Sequence, residues 1–309
     1  MRLGKATREA YGEALAELGA EDPRIVVLDA DLSKSTMTMQ FAKRFPDRFF
    51  NVGIAEANMV GIAAGMASCG KIPFVSSFAC FLMCKAFDQL RLGVAYSNLN
   101  VKVVVTHGGI SIGEDGVSQM SVEDVALACA LPGFTVVVPA DEEETRMAVR
   151  AAARHNGPVF IRTGRPKAPV VYEAGCDLTL GRAKVVRRGN DLTILANGLL
   201  VAEAIAAAEA LAARGVHARV LDVHTVKPLD EQTITKAAQE TGRVVVAEEH
   251  LLYGGLGSAV AMCLARTRPV PMRFVGLNDT YAESGKPADL MRKYGLTADR
   301  IVQAAEKLL

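Results

Sequence analysis

Three segments of the chain combine residue types that could take part in catalysis or ligand binding. In the first, Glu56 opens a stretch of small and apolar residues that includes Gly61 and Gly65. A helix without a polar face is expected to be buried. Glu56 is then either a surface carboxylate favoured by the helix dipole, or a buried carboxyl group able to share a proton with a ligand nitrogen. The residues alone leave both interpretations open.

The second segment is a polar, glycine-rich loop that runs from His107 to Gln119 and contains Glu114 and Asp115. It follows the apolar stretch Val101–Thr106, which predicts a strand. Ligands of open α/β sheets bind at the carboxyl ends of the strands. The loop is therefore a candidate binding site, and a surface turn is the alternative.

The third segment contains two phenylalanines, Phe78 and Phe81, spaced to form one apolar wall at the start of a helix. Such a wall is more often part of a core than of a ligand pocket. Cys80 and Cys84 share the same stretch, but no CxxC pair occurs in the chain, so a zinc site is not expected. The cysteines are predicted to be reduced.

The elements that must position these segments alternate between strand and helix. Asp141 is a predicted N-cap, with Glu144 completing a capping box. Strands are predicted at Ile25–Asp29, Ile72–Ser76, Val101–Thr106, Thr135–Val138 and Val159–Arg162, and helices at Ala6–Leu18, Ile54–Ala67, Phe78–Ala95, Val122–Ala130 and Asp141–Arg154. This alternation predicts a mainly parallel sheet with helices on both faces.

A stretch containing prolines and glycines, Gly164–Leu180, interrupts the pattern and is typical of a linker. The alternation then restarts, with strands predicted at Leu192–Ala196, Ala218–Asp222, Arg243–Glu248 and Met272–Val275. The sequence therefore predicts an α/β protein of two domains, each a mainly parallel sheet flanked by helices. We place the domains at residues 1–168 and 181–309, with a linker at 169–180.

Composition excludes several classes of protein. The 35 Lys and Arg residues balance 34 Asp and Glu residues, so there is no basic excess for binding nucleic acid. No apolar run approaches the roughly 20 residues that span a bilayer, and the first residues are too polar for a signal peptide. A cytoplasmic protein without a membrane partner is expected.

The three segments occur together in the transketolase family, in the order in which they follow along this chain, and the chain resembles the C-terminal half of a transketolase over essentially its full length. The resemblance rests on Ala6–Arg8, Asp31–Ser35, Gly53–Glu56, Gly113–Gly116, Val138–Asp141, Glu248–His250 and Tyr253–Gly255. It implies a pyrimidine-binding domain of the thiamine-diphosphate-binding fold, followed by a transketolase C-terminal-like domain.

The resemblance also implies roles for residues around the cofactor, thiamine diphosphate. The glutamate that matches Glu56 hydrogen-bonds the aminopyrimidine ring and so promotes deprotonation of the thiazolium carbon. Phe78 and Phe81 match the aromatic wall around the pyrimidine, while Cys84 replaces a third aromatic residue. Glu56, together with His107, is the implied catalytic group.

Substrate contacts are implied at further positions. Arg8, Ser35 and Arg165 match residues that bind the sugar phosphate, and an arginine fork suits a phosphate group. Arg162 lies at the end of the same predicted strand and is an alternative to Arg165.

His107 and Asp115 match residues that contact the acceptor aldehyde and the ketose hydroxyl groups. Gln119 departs from the family pattern, which usually has a histidine near the carbon-1 hydroxyl of the donor. A glutamine can form that hydrogen bond but cannot carry a proton at neutral pH. Ordinary pentose phosphate substrates are therefore not assumed.

The Gly-Asp-Gly motif with which this class of enzyme binds magnesium and the diphosphate does not occur in the chain. No metal ligand is therefore assigned, and Mg²⁺ and the diphosphate are expected to be held mainly by a separate N-terminal transketolase subunit. An α2β2 assembly is expected, with the Gly61/Gly65 helix in its interface.

The expected function is thus ketol transfer from a ketose phosphate to an aldose by a two-subunit transketolase. Three alternatives remain: a split ketol-transferase for sulfo- or branched-sugar phosphates, the beta subunit of a 2-oxo acid dehydrogenase decarboxylase component, and a non-catalytic homologue.

Overall fold

Alternating strands and helices build two large sheets and one two-stranded sheet in the computed structural model, which describes residues 1–309. The strands are β1 (Leu3–Ala6), β2 (Ile25–Asp29), β3 (Phe49–Asn51), β4 (Ile72–Ser76), β5 (Lys102–Val105), β6 (Thr135–Val137), β7 (Val159–Arg162), β8 (Lys167–Pro169), β9 (Lys184–Arg187), β10 (Leu192–Ala196), β11 (Ala218–Asp222), β12 (Thr225–Lys227), β13 (Val244–Leu251) and β14 (Met272–Leu277). The helices are α1 (Thr7–Glu21), α2 (Ser33–Thr36), α3 (Met39–Arg44), α4 (Glu56–Ser68), α5 (Ala79–Lys85), α6 (Phe87–Gln89), α7 (Asp124–Ala130), α8 (Glu142–Arg154), α9 (Leu200–Ala212), α10 (Glu231–Thr241), α11 (Leu256–Thr267), α12 (Pro287–Lys293) and α13 (Ala298–Glu306).

The first sheet has seven strands in the order β12-β6-β7-β5-β4-β2-β3. All neighbouring strands are parallel except β12, which pairs antiparallel with β6. Strands β2, β4, β5 and β7 are buried along their whole length, as expected of a parallel sheet with helices on both faces. The order places β4, β5 and β7 side by side, so the loops that follow them meet at one edge.

The second sheet has five strands in the order β14-β13-β10-β11-β9, and only β9 is antiparallel to its neighbour. Side chains of both sheets share an apolar core, in which Val136 of β6 packs in the same cluster as Leu221 and Val226. The predicted fold class, two mainly parallel sheets flanked by helices, is confirmed.

Helix α4 is buried on only one of its faces. Met59, Val60 and Ala63 are buried against the sheet. Gly61 and Gly65 lie on the opposite side, and a Cβ atom built on either would meet nothing within 4 Å. This chain therefore buries only one face of the helix. The Gly61/Gly65 face, which we expect in a subunit interface, is open, because an apolar pattern cannot tell burial by the chain itself from burial by a partner.

The single helix predicted over Phe78–Ala95 is also wrong. Phe78 has extended backbone and forms a parallel bridge with Thr106, so helix α5 begins only at Ala79. The helix ends at Lys85, because the backbone of Ala86 leaves the helical region, and the short helix α6 and a π-helical turn at Leu90–Tyr96 follow. That wider turn still buries Leu90 and Val94, which is why the apolar pattern looked continuous.

Smaller differences occur near the predicted linker and cap. Strand β8 lies inside the predicted linker stretch Gly164–Leu180 and pairs antiparallel with β1. Asp141 accepts a hydrogen bond from the Glu144 amide at 2.9 Å, as a capping residue should. The Glu144 carboxylate accepts from the amide of Ala140 and not from that of the cap itself. None of the helices is long and apolar enough to cross a lipid bilayer.

Candidate active site

Glu56 is the first residue of helix α4 and is only 3% exposed. Its nearest polar neighbours are the hydroxyl of Ser77, which donates to Oε1 over 3.4 Å, and the ammonium of Lys85, 3.8 Å from Oε2. Buried carboxylates in folded proteins are normally held by shorter hydrogen bonds. The carboxyl group of Glu56 therefore retains capacity to bind a further donor.

An aromatic stack lies beside this carboxyl group. The rings of Phe78 and Phe81 stack at a centroid distance of 5.5 Å, and the His107 ring also stacks on Phe78 at 3.8 Å. The ammonium of Lys85 lies 4.4 Å from the centre of the Phe81 ring. The two phenylalanines thus form the predicted wall, which runs between Glu56 and His107. We call the region bordered by Glu56, this wall, His107 and Arg8 the pocket.

Cys84, the residue implied to replace a third aromatic, is exposed one turn after Cys80. Its sulfur lies 3.9 Å from Oε1 of Glu123, and burial followed by the charge of Glu123 raises the pKa of the Cys84 thiol. A small thiol at this position leaves the side of the pocket beyond Phe81 more open than an aromatic ring would.

His107 begins the glycine-rich loop and is held in an unusual conformation. Its φ of 61° lies in the left-handed region, which non-glycine residues rarely occupy. Nδ1 lies 2.7 Å from the hydroxyl of Thr106, and Nε2 lies 3.4 Å from the guanidinium of Arg8. Because an arginine can only donate, Nε2 accepts and Nδ1 carries the hydrogen. Burial, with the charges of Arg8 and Arg165, lowers the pKa of His107 to about 3, so the ring is neutral.

Arg8 joins His107 to the loop that carries Ser35. The guanidinium donates to the backbone carbonyl of Ser35 at 2.9 Å, while its Nε–H is buried without a hydrogen-bond partner. That loop is fixed by buried Asp29, which accepts from the Thr36 and Thr38 hydroxyl groups at 2.7 and 2.9 Å. Sequence reasoning did not identify Asp29 as a site residue, although it ends a strand beside the Asp31–Ser35 motif.

Arg165 and Arg162 have different partners. Arg165 donates to the carbonyl of Ile112 and to Glu114, 3.0 Å away, at the edge of the pocket. Arg162 is buried and donates to Asp124 at 2.8 Å, so it is not free to bind a substrate. The alternative assignment of the phosphate contact to Arg162 is therefore wrong.

Asp115 and Gln119 lie further along the loop. Asp115 is exposed. Burial lowers the pKa of Arg8, and the charge of Arg165 also lowers it, while the charges of Glu9 and Asp115 raise it. Two guanidinium groups, a neutral histidine and a carboxylate therefore converge at one rim. Gln119 is half-buried, and its backbone carbonyl accepts a contact from the Cys80 thiol at 3.1 Å.

The predicted site residues thus fall into two connected groups. Glu56, Phe78 and Phe81 form one side, and Arg8, Ser35 and His107 form the other, with Asp115 and Arg165 near Arg8. Cys84 instead contacts Glu123, and Gln119 contacts Cys80. Lys85, which contacts both Glu56 and Phe81, was missed by sequence reasoning. Its spacing of four residues from Phe81 on a short helix was the available signal. No cluster of His, Cys, Asp or Glu in the chain is arranged to bind a metal ion.

Comparison with known proteins places this pocket in a family. Residues 4–170 match the transketolase pyrimidine-binding domain, and residues 181–301 match the transketolase C-terminal domain. A 6-deoxy-6-sulfo-D-fructose transketolase subunit, SqwH, from Clostridium sp. is 46% identical over 97% of this chain and 94% of its own length. A putative transketolase C-terminal section from Methanocaldococcus jannaschii is 44% identical over 97% of this chain and 95% of its own length.

A solved structure described as a split-gene transketolase, an inactive β4 tetramer, superposes with a TM-score of 0.91. It is 49% identical and covers 99% of this chain and 98% of its own. Human transketolase is 42% identical over 98% of this chain, which spans 49% of the human protein. The family matches do not favour the 2-oxo acid dehydrogenase alternative. The chain belongs to the transketolase family, and it corresponds over its length to that family's separate C-terminal subunits.

Proposed function

We propose that the chain is the C-terminal subunit of a thiamine-diphosphate-dependent transketolase that transfers a two-carbon ketol unit from a ketose phosphate to an aldose. The observation that carries this proposal is the buried Glu56 carboxyl group beside the Phe78 and Phe81 rings, without a short hydrogen bond of its own.

The residues around Glu56 fit the aminopyrimidine end of the cofactor. Thiamine diphosphate, when bound, supplies the nucleophilic carbon that holds the two-carbon unit between donor and acceptor. The carboxyl group of Glu56 can share a proton with a ring nitrogen, and the aromatic side chains of Phe78 and Phe81 offer an apolar surface to a flat ring. Cys84 would border the same ring. The diphosphate and Mg²⁺ fall to a separate subunit, because this chain has no Gly-Asp-Gly motif.

The opposite rim fits a sugar phosphate. Arg8 has an unsatisfied Nε–H, and its charge adds to that of Arg165 close by. A phosphate group would satisfy the buried donor and offset the repulsion between the two cations. Ser35, whose carbonyl holds Arg8, would bind the same group through its hydroxyl.

The sugar itself would be oriented by uncharged and acidic groups. Because His107 is neutral, it would act through hydrogen bonds to the substrate and not as a charged acid. Asp115 is exposed at the rim and can accept from sugar hydroxyl groups, and Gln119 would take the hydrogen bond near the donor's first carbon.

The exposed face of helix α4 supports a partner subunit. Ile54 is 77% exposed, and Leu92 and Tyr96 of the neighbouring π-helical turn are 51% and 86% exposed. Helix α4 packs against that turn, and Gly61 and Gly65 leave its outer side open, so these elements expose an apolar surface. Apolar surfaces of this kind mark protein interfaces. We assign it to an N-terminal, diphosphate-binding subunit in an α2β2 assembly; the split-gene relative is described as an inactive β4 tetramer.

The proposal is tested by mixing the purified chain with the N-terminal subunit, thiamine diphosphate and Mg²⁺, and measuring ketol transfer. A pentulose 5-phosphate and 6-deoxy-6-sulfo-D-fructose serve as rival donors, with an aldose phosphate as acceptor. We expect transfer that requires both subunits and the cofactor. A mixture that transfers from neither donor would refute the proposed function, and full activity of the chain alone would refute the split arrangement.

A further inference from the structure

One buried carboxylate of the second sheet reaches across to the glycine-rich loop of the first. Glu249 lies on strand β13 and is buried. Its Oε1 accepts a hydrogen bond from the backbone amide of Ser111 at 2.6 Å. Ser111 is four residues from His107 and four from Asp115, so this bond joins the second sheet to the middle of the loop.

The backbone of the loop is shaped for this contact. Gly109 has a φ of 83°, and a Cβ atom at this position would overlap the Glu249 carboxylate. A Cβ atom at Gly108 would overlap the Arg162 side chain in the same way. The carboxylate therefore packs directly on the loop backbone, and only glycine allows this approach.

The charge of Arg162 partly offsets the burial of Glu249. Burial raises the pKa of Glu249, and the nearby Arg162, which is paired with Asp124 at 2.8 Å, lowers it. The Arg162 guanidinium also donates to the carbonyl of Ser121, which in turn accepts from the amide of Gly109. The first sheet thus supplies the countercharge, and the second sheet supplies the hydrogen-bond acceptor.

Other residues of the second half press on the same loop without such a bond. A Cβ atom at Gly113 would lie 2.9 Å from the Pro287 ring, and one at Gly116 would overlap the Ser284 side chain. These van der Waals contacts restrict where the loop can move. Within the second half, only the Glu249 carboxylate adds a hydrogen bond to the loop backbone.

We propose that Glu249 is a positioning residue, which fixes the 107–119 loop so that His107 and Asp115 present a constant geometry to the sugar. This assigns to the C-terminal half of the chain a task in substrate binding, although none of its side chains lies in the pocket described above. The inference rests on the proposed function for its kinetic consequence but not for the hydrogen bond itself.

The bond is tested on the isolated chain by amide hydrogen exchange resolved to the 107–119 loop. Glu249→Leu removes the acceptor, and we expect the Ser111 amide to exchange at least about tenfold faster, since an unpaired buried amide is costly. Glu249→Gln keeps an acceptor oxygen and should restore most of the protection. Unchanged exchange in Glu249→Leu would overturn the proposal.

The consequence is tested in the assembled enzyme. Glu249→Leu should raise the KM for the sugar substrates about tenfold, because a misplaced loop weakens binding of the substrate, while the affinity for thiamine diphosphate stays within about twofold. Glu249→Gln should restore the KM. An unchanged KM alongside faster loop exchange would overturn the positioning role.

The matched control is Glu248→Leu. Glu248 is the neighbouring buried carboxylate, but it accepts from the amides of Leu256 and Gly257 at the start of helix α11 and makes no bond to the loop. The Glu248→Leu variant should be less stable but should keep the wild-type KM. A rise in its KM equal to that of Glu249→Leu would show that general destabilisation, and not loss of the loop contact, raises the KM. If the wild-type chain protected the Ser111 amide from exchange but the assembled subunits transferred no ketol unit, the proposed function would be refuted. The hydrogen bond between Glu249 and Ser111 would still be supported.

Discussion

The two sides of the pocket differ in how far this chain completes them. On the proposed substrate side, Arg8 and His107 are bonded to each other and to neighbouring loops, and the loop is anchored at Ser111. On the proposed cofactor side, Glu56 has no polar contact shorter than 3.4 Å, and the adjacent helix α4 exposes an apolar face. This difference supports the proposal that folding of the chain sets the substrate geometry and that assembly with a partner completes the cofactor site.

The largest effect is expected at Glu56 in the assembled enzyme. Glu56→Gln keeps the size of the side chain but cannot share a carboxyl proton with the cofactor, so kcat should fall by about 10²–10⁴. Circular dichroism and the melting midpoint should match the wild type. Steady-state kinetics with saturating cofactor make the measurement, and a variant retaining more than a tenth of kcat would contradict the assigned role.

A smaller effect is expected on assembly. Leu92→Asp places a charge on the exposed apolar surface next to α4, and burying it against the partner should weaken subunit association at least about tenfold. Analytical ultracentrifugation of the mixed subunits measures this. Met262→Asp, at an equally exposed apolar position on α11, is the matched control and should associate normally. If Leu92→Asp and Met262→Asp weakened subunit association equally, the surface next to α4 would not be the partner interface.

The smallest effect concerns the junction of the two sheets, which this chain completes by itself. Asp222 of β11 accepts from the Tyr172 hydroxyl at 2.7 Å and lies beside Glu144 of α8. Burial raises the pKa of Asp222 to about 6, and burial with the charge of Asp222 raises that of Glu144. A carboxyl group whose pKa is raised by folding stabilises the folded state fully at pH values below its unfolded pKa, which is about 4. This stabilisation is lost as the pH rises through the folded pKa, which is about 6 for Asp222.

The melting midpoint of the chain should therefore fall between pH 5 and pH 8. Glu144→Gln removes one of the two competing charges, so the fall should shrink by about 2–4 °C. Glu209→Gln, on the exposed side of helix α9, is the control and should keep the wild-type profile. A wild-type profile in Glu144→Gln would show that the pair does not set the pH dependence.

Much of this arrangement could be predicted from the sequence, and the failures have physical reasons. The spacing of Phe78 and Phe81 and the position of Glu56 before a helix are local patterns, and the structure brings these residues together. The apolar pattern of α4 predicted a buried or interface helix, but it could not show which face this chain leaves open, because the pattern is the same whether the chain or a partner covers that face. Glu249 was also missed, since its partner amide lies 138 residues away and no local pattern encodes that contact.

The domain limits of 1–168 and 181–309 remain a proposal. Strand β12, at Thr225–Lys227, comes from the second half of the chain but completes the edge of the first sheet. A short β-branched stretch does not reveal which of two sheets it will join, because pairing at an edge depends on tertiary packing.

The most direct test of the comparison is a calorimetric titration of thiamine diphosphate, with Mg²⁺ present, into the isolated chain and into the chain mixed with its N-terminal partner. The mixture should show saturable binding, and the isolated chain should show none over the same concentration range. Equal affinity in both titrations would contradict the account, because the chain would then complete the cofactor site without a partner.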